Sequence, residues 1–286
     1  MHDNYLFLGN PGTGKSTLIN CLVGRQVFDS GLSYGAGLTQ FFQKFKCNGK
    51  VYMDTPGLAD RSIKERAAAA ITQALRQSGS YKLFFMVRLE NGRVVSDDLA
   101  TIETVLDSID MDDIPFSIVV NNMKKRQYAA MMKKGAEFFK VVALINACKY
   151  TTPYITFIPT IDCLDESDNE IVKLPQEVET FLHYKAPAIV IPPKQVQEIK
   201  LDNFKALVDD LSDELELLRK DNAALKRRVE KLLRKPKFFE TLLSAVGTTM
   251  SSVLEFSAKN AFNLATGVLT GDLTGVICGV LQLLQQ

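Results

Sequence analysis

The sequence predicts an α/β protein: a three-layer domain with a mostly parallel sheet, followed by a helical tail. Three observations carry that reading. From residue 4 to about residue 185, short β-branched or aromatic runs alternate with longer helical stretches, the pattern of a sheet with helices on both faces. A glycine-rich loop ending in lysine and serine separates the first strand from the first helix. Beyond residue 200 the chain turns purely helical, with apolar residues on a heptad repeat.

In chain order, strands are expected at Tyr5–Leu8, Phe41–Cys47, Val51–Asp54, Lys82–Leu89, Phe116–Asn121 and Tyr154–Pro159. Helices are expected at Lys15–Val23, Ser62–Gln77, Asp97–Ser108, Gln127–Tyr150 and Pro175–His183. Prolines 187, 192 and 193 follow the last of these and read as an extended linker. The expected organisation is therefore a domain over 1–185, a Pro-rich linker over 186–200, a coiled coil over 201–235 and an apolar, Gly-rich helical tail over 236–286.

With 34 basic and 33 acidic residues among 286, the net charge is close to zero, which implies no nucleic-acid partner. Apolar residues make up 46% of the chain, enough to bury a real core. Five scattered cysteines lack metal-ligand spacing and read as reduced thiols. The first strand begins almost at the first methionine, so a cytoplasmic chain without a secretory leader is expected.

Gly9-Asn10-Pro11-Gly12-Thr13-Gly14-Lys15-Ser16 matches the phosphate-binding pattern GxxxxGK[ST] in the strand-to-helix context it requires. Glycines let the backbone N–H groups converge on phosphate oxygens, and the next helix turns its positive end to the same anion. Lys15 supplies a charge for the β- and γ-phosphates, and Ser16 a hydroxyl for Mg²⁺. Asp54-Thr55-Pro56-Gly57 ends the third strand. Asp54 is placed to hold the metal, and Gly57 to bring its N–H to the γ-phosphate. Thr39, in the intervening Gly35–Thr39 loop, is a candidate switch hydroxyl for the metal. Pro11, Gly12, Thr13, Gly14 and Thr17 complete the expected nucleotide site with Asn10, and Lys15, Thr39 and Gly57 are the candidate catalytic groups.

The loop, Thr39-Gln40 ahead of a strand, and Asp-Thr-Pro-Gly-Leu at 54–58 together resemble the translation-factor-related P-loop GTPases. The nearest likeness is to the immunity-associated (AIG1/IMAP-type) and septin-like branch. Gly92-Arg93-Val94-Val95-Ser96-Asp97-Asp98 is similar to that branch's Arg-x-Thr-x-Glu-Glu box, and Ser96 is also expected to cap a helix. The resemblance covers residues 4–160 and implies GTP or GDP with Mg²⁺ bound through Ser16, Thr39 and Asp54. It puts Asn121 and Asn122 at the base. There the usual base-pairing aspartate is replaced by Lys124, which leaves ATP as the alternative nucleotide. Leu58 stands where related enzymes carry a water-orienting glutamine, so slow hydrolysis is expected.

Downstream, Leu201, Val208, Leu215, Asn222 and Val229 fall at heptad position a, and Phe204, Leu211, Leu218, Leu225 and Leu232 at d. Such a stripe with a single a-position asparagine predicts a parallel two-stranded homodimer; a helix folded back on its own domain is the alternative. A basic run from Lys226 to Lys237 precedes a charge-poor stretch with Gly267, Gly271, Gly275 and Gly279 in four-residue steps. That combination suits an anionic membrane surface or a helix pair. The expected whole is a nucleotide switch that self-associates and is membrane-peripheral or inserted, with a catalytically silent scaffold as its rival.

Overall fold

The computed structural model describes residues 3–31, 37–60, 63–235 and 238–242, together with Gly279. In chain order the elements are β1 (Asp3–Leu8), α1 (Lys15–Val23), β2 (Gln43–Cys47), β3 (Lys50–Asp54), α2 (Lys64–Leu75) and β4 (Ser80–Val87). Next come β5 (Leu89–Glu90), β6 (Arg93–Val94), α3 (Ser96–Asp107), β7 (Ser117–Met123), α4 (Lys125–Met132) and α5 (Ala136–Ile145). The remainder is β8 (Ile155–Pro159), α6 (Asp162–Glu166), α7 (Gln176–Thr180), β9 (Ile189–Val190), α8 (Phe204–Lys220) and α9 (Asn222–Leu233). The chain forms two compact units, residues 1–123 with 154–209, and 124–153 with 210–286.

The first unit holds a seven-stranded sheet in the order β2-β3-β1-β4-β7-β8, with β9 added antiparallel to the start of β4. Only β2 and β9 run against the parallel core. In β1 successive residues Tyr5, Leu6, Phe7 and Leu8 are all buried, so both sheet faces are covered, as a parallel sheet requires. On one face Tyr5, Phe7, Phe84 and Met86 pack with Leu18 and Ile19 of α1 and Val178 of α7. Phe7 stacks on Phe84 at 4.9 Å between ring centroids. This packing fixes the C-terminal ends of β1 and β3, where crevices form in open α/β sheets.

The structure departs from the sequence expectations in five places. β4 ends at Val87, because Asn91 and Gly92 (φ 50° and 82°) fold the next residues into the β5–β6 hairpin. Val95 rather than Ser96 is the residue ahead of α3, and no side chain caps that helix. The single helix expected over Gln127–Tyr150 is two, α4 and α5, broken where Lys134 turns left-handed (φ 52°) ahead of Gly135. The 186–200 stretch is no free linker. Beyond the β9 pairing, Ile191 and Val196 are buried, the Val196 carbonyl accepts from the Arg76 guanidinium at 2.8 Å, and Gln197 N–H donates to Ser108 at 2.7 Å.

The fifth departure concerns 201–235. A continuous heptad helix is interrupted at Asp221, whose extended backbone (φ −105°, ψ 102°) and side chain cap α9 through the Ala223 N–H. Asn222, the expected buried register residue, is exposed. The d residues Phe204, Leu211, Leu218, Leu225 and Leu232 are buried within the single chain. The stripe expected to form a dimer seam is thus covered by the chain itself. Among the described residues no helix is long and apolar enough to cross a membrane. The expected glycine ladder lies outside the described residues apart from Gly279, and so do Gly35 and Ala36 of the Thr39 loop.

Candidate functional site

The loop joining β1 to α1 begins as β1 leaves the sheet at Leu8, and Gly14 (φ 83°) turns it into the helix. A side chain at Gly14 would collide with the Asn121 amide, 2.4 Å from where its Cβ would stand. With Gly57 the limit is the loop itself, since a Cβ there would meet Pro11 Cδ at 2.4 Å. The β3 turn and the phosphate loop are therefore packed backbone against backbone, which only glycine allows. Between them opens a cavity of about 300 Å³, lined by Pro11, Gly12, Gly14, Lys15, Ser16 and Thr17 on one side and by Thr39, Pro56, Gly57 and Asp60 on the other.

At its floor Lys15 is buried and donates to the Gly9 and Asn10 carbonyls at 2.9 and 3.2 Å. Burial pushes the Lys15 pKa down, against the pull of Asp54 and Asp98. Asp54 is wholly buried. Its Oδ2 accepts from Ser16 Oγ at 2.6 Å and from Thr39 Oγ1 at 3.0 Å, and the two hydroxyls lie 3.2 Å apart. Asp54 Oδ1 finds no hydrogen-bond partner among the described residues. Burial pushes the Asp54 pKa up, opposed by Lys15 and by the two hydroxyls. The three oxygen ligands expected from widely separated positions thus meet at one point, beside the Lys15 ammonium. A hard cation such as Mg²⁺ suits this donor set, because it takes hydroxyl and carboxylate oxygens and would match the oxygen that has no hydrogen-bond partner among the described residues.

Other expected residues have different tasks. Asn10 and Thr13 are buried, and their side chains turn into the protein. Thr13 Oγ1 donates to the Asn10 carbonyl at 2.8 Å. Asn10 Nδ2 donates to Asp98 Oδ1 at 2.8 Å, while Asn10 Oδ1 accepts from the Ala59 N–H at 3.1 Å and Thr101 Oγ1 at 2.9 Å. Asp98 is held in turn by Arg88, at 3.2 Å from Nε and 3.1 Å from Nη2. This network joins the phosphate loop, the segment after Gly57 and α3, and no motif of the sequence links its members. In the sequence Asp97 and Asp98 stand out as the acids that close the Gly92–Asp98 box, with nothing that joins them to Asn10.

At the base end, Asn121 Nδ2 donates to the Thr13 carbonyl at 3.0 Å, so Asn121 braces the loop. Asn122 turns left-handed (φ 55°) where the β7–β8 register slips, and lines a second cavity of about 490 Å³. Gly12, Thr17, Ile158 and Ile161 also border it, as do two carboxylates that the sequence did not single out, Glu166 and Asp168. The loop carrying Asp168 is pinned by Asn169, which accepts from the Ser30 N–H at 2.8 Å. Leu58 is fully buried, with no side chain in the cavity.

Residues 4–122 match the family model described as 50S ribosome-binding GTPase. The match supports the P-loop GTPase class that the motifs imply and does not reach the immunity-associated branch. The small ribosomal subunit biogenesis GTPase RsgA of Clostridium novyi (strain NT) is 30% identical over 82 residues, which are 27% of this chain and 28% of that protein. The chain therefore spans less than a third of that relative's length. Among solved structures, an Aquifex aeolicus Era variant bound to GDP and AlF4⁻ aligns with 72% of this chain and 65% of its own at 21% identity and a TM-score of 0.40. Arabidopsis thaliana Toc33 with GDP and Mg²⁺ aligns over 67% and 88% at 15% identity and a TM-score of 0.38. These structural likenesses do not bear on activity.

Proposed function

We propose that this chain is a GTP-binding switch that hydrolyses GTP slowly in the presence of Mg²⁺. One observation carries the reading: Ser16, Thr39 and Asp54 converge beside a buried Lys15, leaving one carboxylate oxygen unmatched among the described residues. Ser16 and Thr39 would hold the metal, and Asp54 would orient its water shell or bind it directly. When bound, Mg²⁺ would neutralise charge on the β- and γ-phosphates. Lys15 would exchange the Gly9 and Asn10 carbonyls for phosphate oxygens, and the loop N–H groups and Gly57 N–H would fix the γ-phosphate for attack by water. Thr39 can engage the metal only while its loop is closed, so loss of the γ-phosphate would release it. That release is the switch.

Catalysis of this kind is positioning and electrostatic stabilisation. The residue after Gly57 contributes no water-orienting group, since Leu58 is core. That same residue favours the rival reading, a nucleotide-binding scaffold without turnover. Single-turnover hydrolysis separates the two: product appearing faster than in a Lys15→Ala control supports the switch, and equal rates support the scaffold. For the base, with Asn121 committed to the loop, Glu166 and Asp168 are the carboxylates near enough to the second cavity to read guanine N–H groups, with ATP as the alternative ligand. Binding of labelled GTP, GDP, ATP and ADP with and without Mg²⁺ tests this assignment.

A cytoplasmic or membrane-peripheral location remains part of the reading, with the basic run as its support. Homodimerisation through 201–235 is weakened by the break at Asp221 and by the buried d residues. Packing of the stripe within the chain is the reading adopted.

A further inference from the structure

In the second unit the end of α5 and one face of α9 enclose a cavity of about 200 Å³. Its charged walls are Lys149, Arg228, Lys231 and Lys235, with Thr151 beside them and no carboxylate in the lining among the described residues. Part of this has a structural purpose. Arg228 Nη2 donates to the carbonyls of Asn146 and, at 3.0 Å, Cys148, just past the end of α5, and so caps that helix.

The cap leaves the rest unexplained. Arg228 Nε is buried and meets no acceptor among the described residues, although a buried guanidinium N–H without a partner is costly. Lys235 donates to the Thr151 hydroxyl at 2.7 Å rather than to an acid. The nearest acid on α9, Glu230, is engaged by Arg234, and Glu214 on α8 is the carboxylate whose field reaches Arg228. Burial pushes the Lys235 pKa down, and repulsion from Arg228 and Lys231 pushes it further. Four cations therefore line one cleft, and no wall among the described residues supplies a countercharge.

We propose that this cleft binds a phosphate group, carried either by a small soluble phosphate ester or by a phospholipid headgroup. The donors available to phosphate oxygens are the Lys231 and Lys235 ammoniums and the Thr151 hydroxyl, with the Arg228 guanidinium charge behind them. Charge-assisted bonds of this kind are the strong ones, and a dianion turns the mutual repulsion of the cations into attraction to a common centre. The volume suits a phosphate or diphosphate. The site does not depend on the nucleotide reading.

The test uses the full chain carrying Lys15→Ala, or the wild-type chain saturated with nucleotide, so that the loop after β1 contributes no phosphate binding. Inorganic phosphate and pyrophosphate are titrated by calorimetry and by Tm shift, against chloride at equal ionic strength. Saturable binding, with a Tm that rises for phosphate and not for chloride, is expected. Lys231→Gln combined with Lys235→Gln should weaken it by at least about tenfold. This double change leaves the Arg228 cap intact, and an unchanged circular-dichroism spectrum checks the fold. Vesicles of phosphatidylcholine, with and without phosphatidic acid, distinguish the sources. Co-sedimentation that needs phosphatidic acid and both lysines supports a lipid headgroup, and binding of free phosphate alone supports a soluble ester. Failure to bind either, or binding indifferent to the two lysines, overturns the proposal.

Discussion

The two charged clusters of this molecule meet the cost of burial in opposite ways. In the first unit, cation and anion are buried together. Lys15 lies beside Asp54, two hydroxyls share one carboxylate oxygen, and Arg88 offsets Asp98. In the second unit Lys149, Arg228, Lys231 and Lys235 share a cleft with no carboxylate in its walls among the described residues. A neutral cluster can hold its shape and exchange internal partners for ligand. A cluster of one sign is in tension until a counter-ion arrives. The first should therefore respond to specific ligands with little change in stability, and the second to anions with a gain in stability.

The comparison breaks most completely if the second unit loses its core. Leu211→Ala with Leu218→Ala should each cost about 2–5 kcal/mol, by cavity formation in a packed interior. Denaturant unfolding should show that loss, with nucleotide affinity unchanged within about twofold if the sites are independent. Dissociation of a dimer with no loss of monomer stability would restore the intermolecular seam. Next in size, Arg88→Ala should destabilise the first unit by about 3–5 kcal/mol, because it leaves Asp98 buried and uncompensated. Unfolding measured against Arg88→Lys, which keeps the charge, checks that electrostatics rather than packing is responsible.

The phosphate loop was legible because its chemistry is local. Gly14, Lys15 and Ser16 must be adjacent to do their work, and the later partners Thr39 and Asp54 sit at a strand approach and a strand end. The Asn10–Asp98–Arg88 network was not legible, since its members lie up to 88 residues apart and no spacing rule joins them. Heptad periodicity misled for another reason. A 3.5-residue stripe shows that Leu211 and Leu218 seek cover, and says nothing about which surface supplies it. The break at Asp221 uses an aspartate that caps α9 through the Ala223 N–H, and a count of apolar heptad positions gives no sign of it.

Smaller effects sharpen the contrast within the first unit. Lys15→Ala should lower triphosphate affinity by about 100-fold, roughly 3 kcal/mol for one charge of a buried pair, while the circular-dichroism spectrum stays the same. Glu166→Ala and Asp168→Ala should narrow any preference for GTP over ATP by about tenfold or less, the worth of one hydrogen bond to a charged group. Competition binding reads that ratio, and an unchanged value would mean the base is recognised elsewhere.

The most direct measurement is equilibrium binding of fluorescent GTP to the wild-type chain, Ser16→Ala and Asp54→Asn, in Mg²⁺ and in EDTA. The wild-type chain should bind about tenfold or more tightly with Mg²⁺, and both substitutions should remove most of that difference. Burial holds the Asp54 carboxyl above its ordinary range, so a proton competes with the metal, and the Mg²⁺ advantage should shrink as the pH is lowered. Equal affinity in Mg²⁺ and EDTA, in the wild-type chain and in both variants, would contradict the account, because Ser16, Thr39 and Asp54 would then converge for structure alone.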